Sequence, residues 1–393
     1  MKSTKNISRR KFIKSASAGI VIGAAGLSNC SKGKDITKGI EDVSVEAVKS
    51  QTPEKLLRNA KIVLEASCHA KSGQTLLIIA DDKILSIAPA LALAGLELGL
   101  IPAVMDIRHY LASEPYKNGY VLESVKEAMH ASDIVIQNLV DTWVPNRPGY
   151  GRLTGQPDMH DKSLNGQRRW MILQHKGLGE WDVSAEEISV IPKRTNWLLN
   201  LLKKAEKGHI TSPGGTDFTF GLQKGKAFLV PVLGIIPFYG EVAVMPVMKT
   251  TSGVFVIDGP TQRDVRPSNE LDREPLRVVV EKGRAVDVSG GAVQLKRLKD
   301  YIASGNPPAD AIDEVGIVTT TLVENDMYYW SDGTHHHDRA HIALGNNVRR
   351  DVVVHGPKHM DGEVCKPTIT IDGLVIMKNG IFQDEAMRVS LLQ

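Results

Sequence analysis

Five side chains in the second half of the chain have the chemistry of metal ligands: Glu241, Glu314, His341, His359 and Asp361. His359 and Asp361 are two positions apart, and side chains at that spacing project from the same face of a strand. They can therefore present an imidazole and a carboxylate to one ion, a mixture of donors that borderline divalent metals favour. On this basis the sequence suggests a metal site.

Each of these residues also has a purely structural interpretation. Glu241 can be a charge at a strand end, Glu314 a carboxylate at a helix end or on the surface, and His341 a buried histidine bonded to a backbone carbonyl. Three consecutive histidines at 335–337 are interpreted as an incidental loop sequence. The chain has no Gly-x-Ser-x-Gly elbow, no His-Glu-x-x-His helix and no Cys-x-x-Cys pair. Spacing alone leaves both interpretations open.

The first 30 residues have the pattern of an export signal. Arg9 and Arg10 precede an apolar run at 16–27, which is typical of twin-arginine signals and too short for a permanent membrane-spanning helix. The sequence Leu27-Ser28-Asn29-Cys30 resembles a lipoprotein cleavage box and predicts acylation of Cys30. In the alternative, cleavage occurs elsewhere, Cys30 is incidental and the exported protein is soluble. We therefore expect the protein to lie in the periplasm, attached to a membrane by the lipid on Cys30.

Composition restricts the remaining function classes. The chain has 393 residues, of which 42% are hydrophobic, enough for a large core and, by length, for two domains. The net charge of +3 gives no indication of a nucleic-acid partner. If Cys30 is acylated, only Cys68 and Cys365 remain, which is too few for a disulfide framework.

The elements that must position the candidate ligands differ between the two halves. Residues 31–51 are polar and lack apolar periodicity, which predicts a flexible tether. From 52 to 205, helix and strand patterns alternate and the strands are apolar on both faces, which predicts an α/β domain with a doubly wound parallel sheet. The predicted helices are 53–68, 86–98, 122–129 and 198–204, and the predicted strands are 75–80, 102–107, 133–139 and 170–174.

From 206 to 393, short strands separated by Gly, Pro and Asn turns predict a β-rich α+β domain that holds the metal. A helix is predicted at 293–302. The segment 212–217 predicts a tight turn in which Asp217 bonds nearby backbone amides, and its alternative interpretation is a wall of a substrate cleft. The predicted hairpin turns are Lys282-Gly283, Asp372-Gly373 and Asn379-Gly380.

Five motifs, in order along the chain, resemble the thermophilic aminopeptidase T family of metallopeptidases and the related 2,5-dihydroxypyridine 5,6-dioxygenase family. The resemblance covers about residues 53–390. The motifs are Ser212-Pro213-Gly214-Gly215-Thr216-Asp217-Phe218-Thr219-Phe220, Gly240-Glu241-Val242, Glu314-Val315-Gly316-Ile317, His341-Ile342-Ala343-Leu344-Gly345, and His359-Met360-Asp361 with Ile371-Asp372-Gly373.

The aminopeptidase resemblance implies that the five candidate residues bind a pair of divalent ions, zinc, manganese or cobalt, with Glu241 and Glu314 also catalytic. A shared water becomes a hydroxide at neutral pH and attacks a peptide or amide carbonyl, while neighbouring carboxylates handle the proton. The implied activity is that of a leucyl-type aminopeptidase acting on a short peptide or another small molecule. A homodimer is implied by the family alone.

Two alternatives remain. The dioxygenase resemblance implies a single Fe(II) held by two histidines and a carboxylate, which opens a hydroxylated pyridine-like ring. His359 and Asp361 would supply two of its ligands, whereas Glu314 occupies a position equivalent to the remaining histidine. The other alternative is a lipoprotein that binds a small molecule without catalysis. Val348, which replaces a tyrosine common in the peptidases, permits that function, and retention of all five presumed ligands counts against it.

Overall fold

A computed structural model describes residues 45–82, 84–114, 122–137, 169–172, 178–179, 184–222, 229–233, 240–261, 274–304, 308–320, 338–345 and 359–390. Arg9, Arg10 and Cys30, on which the export and lipidation predictions depend, lie outside these residues, as do His335–His337 and Val348. Within the described ranges, no helix combines the length and the apolar character needed to cross a membrane.

The first half contains a four-stranded sheet in which every strand pair is parallel. Its strands are β1 (Thr75–Ala80), β2 (Ile101–Asp106), β3 (Ile134–Gln137) and β4 (Arg169–Ile172), in the order β2-β1-β3-β4. From β1 the chain passes to β2 on one side and then returns to β3 on the other, as in a doubly wound sheet. The predicted α/β fold is therefore confirmed.

Apolar cores cover both faces of this sheet because successive strand residues point to opposite sides. Leu76 and Ile78 pack in what we call the first core, while Leu77 and Ile79 pack in a smaller cluster on the other face. The helices are α1 (Val45–Gln51), α2 (Glu54–Ile62) with a π turn at Val63–Ser67, α3 (Ala88–Glu97), α4 (Arg108–Leu111) and α5 (Glu123–Ala131).

Helix α1 covers the last seven residues of the range predicted as a tether. It contacts α3, and the Lys49 ammonium lies 3.4 Å from the Glu97 carboxylate of that helix. This short segment has little apolar periodicity of its own, so its helix depends on contacts made with the folded domain.

A long helix joins the two halves of the chain. Only residues 198–204 are predicted as helix, whereas α6 runs through Ala185–Leu202. Pro192 lies inside the helix, and proline usually ends a helical pattern, which explains why the sequence underestimates its length. Ile188 packs in the first core, whereas Leu198 and Leu202 pack in the core of the second half. Helix α6 therefore contributes to both.

The second half is built on a 13-stranded sheet whose pairs are all antiparallel, as the predicted β-rich domain requires. A large apolar cluster, the second core, lies on one face and includes Phe218, Phe255 and Leu298. The elements are β5 (Lys207–Thr211), β6 (Asp217–Gly221), β7 (Leu229–Leu233), β8 (Gly240–Val244), β9 (Val247–Ile257), β10 (Leu276–Glu281), β11 (Arg284–Gly290), α7 (Ala292–Ala303), β12 (Ala311–Val318), β13 (Arg339–Gly345), β14 (His359–Cys365), β15 (Thr368–Ile371), β16 (Leu374–Lys378), β17 (Ile381–Phe382) and α8 (Asp384–Ser390).

All three predicted hairpins are present with the backbone that their residues favour. Lys282 and Gly283, between β10 and β11, have φ angles of 50° and 74°. Asp372 and Gly373 have φ angles of 46° and 89°, and Asn379 and Gly380 have φ angles of 50° and 81°. Two successive positive φ angles define the type I′ turn, whose twist matches that of antiparallel strands. The turn residues alone were therefore sufficient to predict all three connections.

Candidate metal centre

Four neighbouring strands, β8, β12, β13 and β14, carry the candidate ligands on one face. Val242, Ile317, Ile342 and Val364 point into the second core, so the alternating positions point to the opposite side. We call that side the ligand face. By this alternation it carries the side chains of Glu241, Glu314, His341, Asp361 and Glu363.

Strand register brings these positions into adjacent rows. His341 of β13 lies opposite Gly316 of β12 on one side and opposite Glu363 of β14 on the other. Glu241 of β8 lies opposite Val318, two positions along β12 from Gly316. The ligand residues are therefore neighbours across strands although they are distant in sequence.

A β-bulge places Glu314 on the ligand face. Ile312 lies opposite Leu344 and Glu314 lies opposite Ala343, so Asp313 is an extra residue in β12. Ile312 and Val315 consequently both point into the second core, although they are three positions apart. Simple alternation from Ile312 would have turned Glu314 into that core, and the bulge corrects its direction.

The centre of the ligand face is a group of three side chains. The Nε2 atom of His341 lies 3.1 Å from Oε1 of Glu241 and 3.2 Å from Oε1 of Glu314. One ligand atom of each residue lies within 4.8 Å of the others. The side chains of His341 and Glu241 are 1% and 4% exposed, whereas that of Glu314 is 12% exposed. Glu314 is therefore the member nearest to solvent.

Gly316 provides the space in which the imidazole lies. A Cβ atom at this position would overlap the His341 ring and the carboxylate of Glu241. The ring thus leans across β12 toward both glutamates. This close approach gives Gly316 a structural role in the site, which the motif itself did not indicate.

Electrostatics in the group are dominated by negative charge. Burial by itself lowers the pKa of His341, but the charges of Glu241 and Asp361 and hydrogen bonds to Glu241 and Glu314 raise it well above the ordinary value. Buried carboxylates are costly unless a positive charge accompanies them. A protonated imidazole can provide part of that charge, and a divalent cation can provide more.

The other two predicted ligands lie on β14. Asp361 is 2% exposed and lies opposite Ala343, which is two positions from His341 along β13. Its charge acts on the pKa of His341, but it is not in the group of three. His359 lies opposite Gly345, and its side chain is outside the described residues. The structure therefore brings together Glu241, Glu314 and His341, with Asp361 beside them on the same face.

Glu363 is an acidic residue of the ligand face that the sequence analysis did not identify. It is fully buried. Its carbonyl accepts hydrogen bonds from the amides of Asp258 (3.2 Å) and Gly259 (3.1 Å), and its own amide donates to the carbonyl of Pro260 (3.1 Å). The two-residue spacing that places His359 and Asp361 on one face of the strand continues to residue 363. The same spacing could therefore have identified Glu363 from the sequence.

Cys365, the next residue of β14 on this face, has a backbone amide that donates to the Asp258 carboxylate (2.7 Å). Burial raises the pKa of its thiol to about 12, and the negative charges of Asp258 and Glu363 contribute in the same direction. The thiol therefore stays protonated at neutral pH.

The segment 212–217 forms a tight turn, as predicted. The Ser212 amide donates to the carbonyl of Thr216 (3.1 Å), and Gly215 has a φ angle of 100°. Asp217 differs from the expectation, because its carboxylate is bonded to Nε2 of His209 (2.7 Å). The two residues are diagonal neighbours on β5 and β6, because Asp217 lies opposite Thr211, two positions from His209.

The donor set fits a divalent metal. Two carboxylates and one imidazole converge within 4.8 Å, and oxygen with imidazole nitrogen is the combination that zinc, manganese, cobalt and ferrous ions accept. Asp361 supplies a further carboxylate on the same face.

Comparison with known proteins agrees with the resemblance inferred from the motifs. The model of the NicX family, described as 2,5-dihydroxypyridine 5,6-dioxygenase, matches residues 56–384. None of the curated proteins compared matches the chain. A structure of 2,5-dihydroxypyridine dioxygenase from Pseudomonas putida KT2440 has a TM-score of 0.55 at 17% identity, covering 86% of this chain and 100% of that one. Wild-type AmpT from Thermus thermophilus has a TM-score of 0.51 at 13% identity, covering 84% of this chain and 98% of that one.

Proposed function

The chain belongs to the NicX family, and from that premise we propose that it is a metal-dependent enzyme that hydrolyses a peptide or a similar amide. Family membership and the two similar folds support a metalloenzyme of one of two chemistries, oxygen-dependent ring opening or hydrolysis. The observation that favours hydrolysis is the acidic character of the ligand face.

Charge balance carries this argument. Among the described residues, the ligand face places four carboxylates around one buried imidazole: Glu241, Glu314, Asp361 and Glu363 around His341. Four negative charges match two divalent cations. A mononuclear iron oxygenase typically uses two imidazoles and one carboxylate, which carry a single negative charge. The balance therefore favours a pair of ions, as hydrolases use them.

In this proposal Glu241, Glu314 and His341 hold the metal together with Asp361 and His359. Divalent ions held by these residues would lower the pKa of water and polarise a carbonyl oxygen. Glu314, the most exposed of the three central side chains, accepts the proton of the attacking water and returns it to the leaving amine. A carbon–oxygen bond forms and the carbon–nitrogen bond of the amide breaks.

A ring-opening dioxygenase is the second candidate, and the family match favours it. If the His359 imidazole joins His341 and Asp361, the chain offers two imidazoles and one carboxylate to a single ferrous ion. The substrate class would then be a hydroxylated pyridine, and molecular oxygen would be consumed.

Metal content and turnover distinguish the candidates. We expect anaerobically purified protein to hold two zinc, manganese or cobalt ions per chain by elemental analysis and to release ammonia from leucine amide. Glu314→Gln should lower kcat by about 10²- to 10⁴-fold and reduce metal content, because it removes a proton acceptor and a ligand. Glu281→Gln, an exposed glutamate at the end of β10, is the matched control and should leave both unchanged. One ferrous ion with oxygen uptake on 2,5-dihydroxypyridine would contradict the hydrolase and support the dioxygenase.

We further propose that the enzyme acts after export by the twin-arginine route, in the periplasm and attached to a membrane by acylated Cys30, on a small molecule or short peptide. The pattern of the first 30 residues supports this location. A fully folded protein that holds no transition metal would instead support a binding lipoprotein without catalysis.

A further inference from the structure

We propose that the hydroxyl groups of Thr195 and Thr319 form a positioning pair that holds the strand end carrying Glu241. Both residues are fully buried, and their Oγ1 atoms lie 2.6 Å apart. Thr195 belongs to α6, and Thr319 directly follows β12. The pair thus connects the joining helix to two strands of the metal centre. The inference rests on the proposed metal-binding function.

The direction of the hydrogen bonds can be assigned. The Thr195 hydroxyl donates to the carbonyl of Ile191, one helical turn earlier, at 2.9 Å. A threonine hydroxyl has a single proton. In the 2.6 Å contact, therefore, Thr319 donates and Thr195 accepts. The result is an ordered chain of bonds from Thr319 through Thr195 to the backbone of α6.

The same pair contacts the residue that precedes Glu241. The Thr319 amide donates to the carbonyl of Gly240 at 2.7 Å. A Cβ atom at Gly240 would overlap the Thr319 hydroxyl and the side chain of Ile191, so the backbone of β8 lies directly against the hydroxyl pair. Glu241 then projects from the opposite side of the strand, toward His341.

This arrangement fixes the position of β8 relative to β12 at the point where the ligand leaves the backbone. An apolar pair could fill the same volume, but it would not define a hydrogen-bonded distance between the helix and the strand. Groups outside the coordination sphere that orient a ligand typically change metal affinity by about 10- to 100-fold. We therefore expect the threonine pair to affect metal binding through Glu241.

The test measures Zn²⁺ and Mn²⁺ binding to the full chain by competition with a fluorescent chelator, without any substrate. Thr195→Val and Thr319→Val remove a hydroxyl at nearly constant volume, and each should raise the metal Kd about tenfold or more. Thr195→Ser and Thr319→Ser keep the hydroxyl and should restore the Kd to within about threefold of the unaltered protein.

A matched control separates positioning from general stability. Thr251 is also fully buried, and its hydroxyl donates to the carbonyl of Val247 four residues earlier at 2.9 Å, but it lies on β9. Thr251→Val should lower the melting temperature of the metal-free protein and leave the metal Kd unchanged. If Thr195→Val and Thr319→Val behave in the same way, the pair is merely structural and the proposal is wrong.

A double-mutant cycle asks whether the effect acts through Glu241. In a Glu241→Gln background, Thr319→Val should change the metal Kd by less than about threefold, because the ligand that it positions is already weakened. An undiminished tenfold loss in that background would overturn the proposal while leaving the enzyme function intact. Unaltered protein that takes up no metal would overturn both.

Discussion

His341 is the residue on which the metal centre converges, because both glutamates lie about a hydrogen-bond length from the same nitrogen, at 3.1 and 3.2 Å. In the metal-free protein this geometry suits an imidazolium that donates its Nε2 proton. To act as the proposed metal ligand, the same nitrogen must be deprotonated. Under the proposed function, protons and metal ions therefore compete for this nitrogen.

This competition gives the metal-free protein a specific pH dependence. Because Glu241 and Asp361 raise the pKa of His341 above its ordinary value of 6.5 despite burial, the protonated ring stabilises the fold fully below that pH. The contribution is lost as the pH rises through the raised pKa. We expect the free energy of unfolding, measured with urea on chelator-treated protein, to decrease as the pH rises above 6.5.

The control is His341→Gln, in which this pH-dependent contribution should be absent. In the unaltered protein, metal affinity should increase with pH while the stability of the metal-free form decreases, because metal binding releases the His341 proton. An equal slope of stability against pH in both proteins would show that His341 is not the group that titrates.

At the scale of residues, the sequence identified Glu241, Glu314 and His341 through their motifs, but it could not show that they meet. The three lie on separate strands, and only register brings them together. Glu363 was missed because it lies beyond the end of the His-x-Asp pattern, although its burial and its place beside His341 are as distinctive as those of Asp361.

At the scale of elements, β12 owes its place in the metal centre to Gly316, the residue opposite His341. Gly316→Ala adds a methyl group where the imidazole and the Glu241 carboxylate lie. Because overpacking a buried site typically costs about 1–3 kcal/mol, we expect a lower melting temperature and a metal Kd raised at least tenfold. Calorimetry and chelator competition would measure the two effects.

Gly179→Ala is the matched control, since a Cβ there would meet Leu56 only at ordinary contact distances of 3.8 and 3.9 Å. Its stability and its metal affinity should stay near those of the unaltered chain. Metal binding by Gly316→Ala that equals that of Gly179→Ala would mean that the ring does not need the space over β12.

Four features show which parts of the structure local sequence patterns predict and which they miss. Continuous apolar runs and turn residues were sufficient for β1 and for the type I′ hairpins, because both depend on local chemistry. The bulge at Asp313 and the helix through Pro192 were not predicted, because each contradicts a local rule and is held by tertiary contacts.

At the scale of the whole molecule, α6 belongs to both apolar cores and therefore connects the parallel-sheet half with the ligand strands. The sequence divided the chain near residue 205, shortly after this helix. Val318 lies two positions after Gly316 on the ligand face of β12. It packs in the first core as well. Folding of the two halves is consequently coupled through elements next to the metal centre.

The export proposal leads to a prediction for the intact precursor. Replacing Arg9 and Arg10 by lysine should retain the protein in the cytoplasm, because the twin-arginine signal requires the pair. Cys30→Ser should allow export but release the protein from the membrane fraction, because no lipid can be attached. Cell fractionation with immunoblotting measures both outcomes, and Lys34→Ala serves as a control. Membrane attachment of Cys30→Ser would contradict the lipid anchor.

If the protein is exported as proposed, the chemistry of the Cys365 thiol determines how the chain behaves in an oxidising compartment. Disulfide exchange and sulfenic acid formation both begin from a thiolate, and a pKa of about 12 leaves that species scarce. Cys68 is fully buried, and neither cysteine forms a disulfide. Once Cys30 carries the proposed lipid, we expect the chain to remain free of disulfide cross-links during storage without a reducing agent.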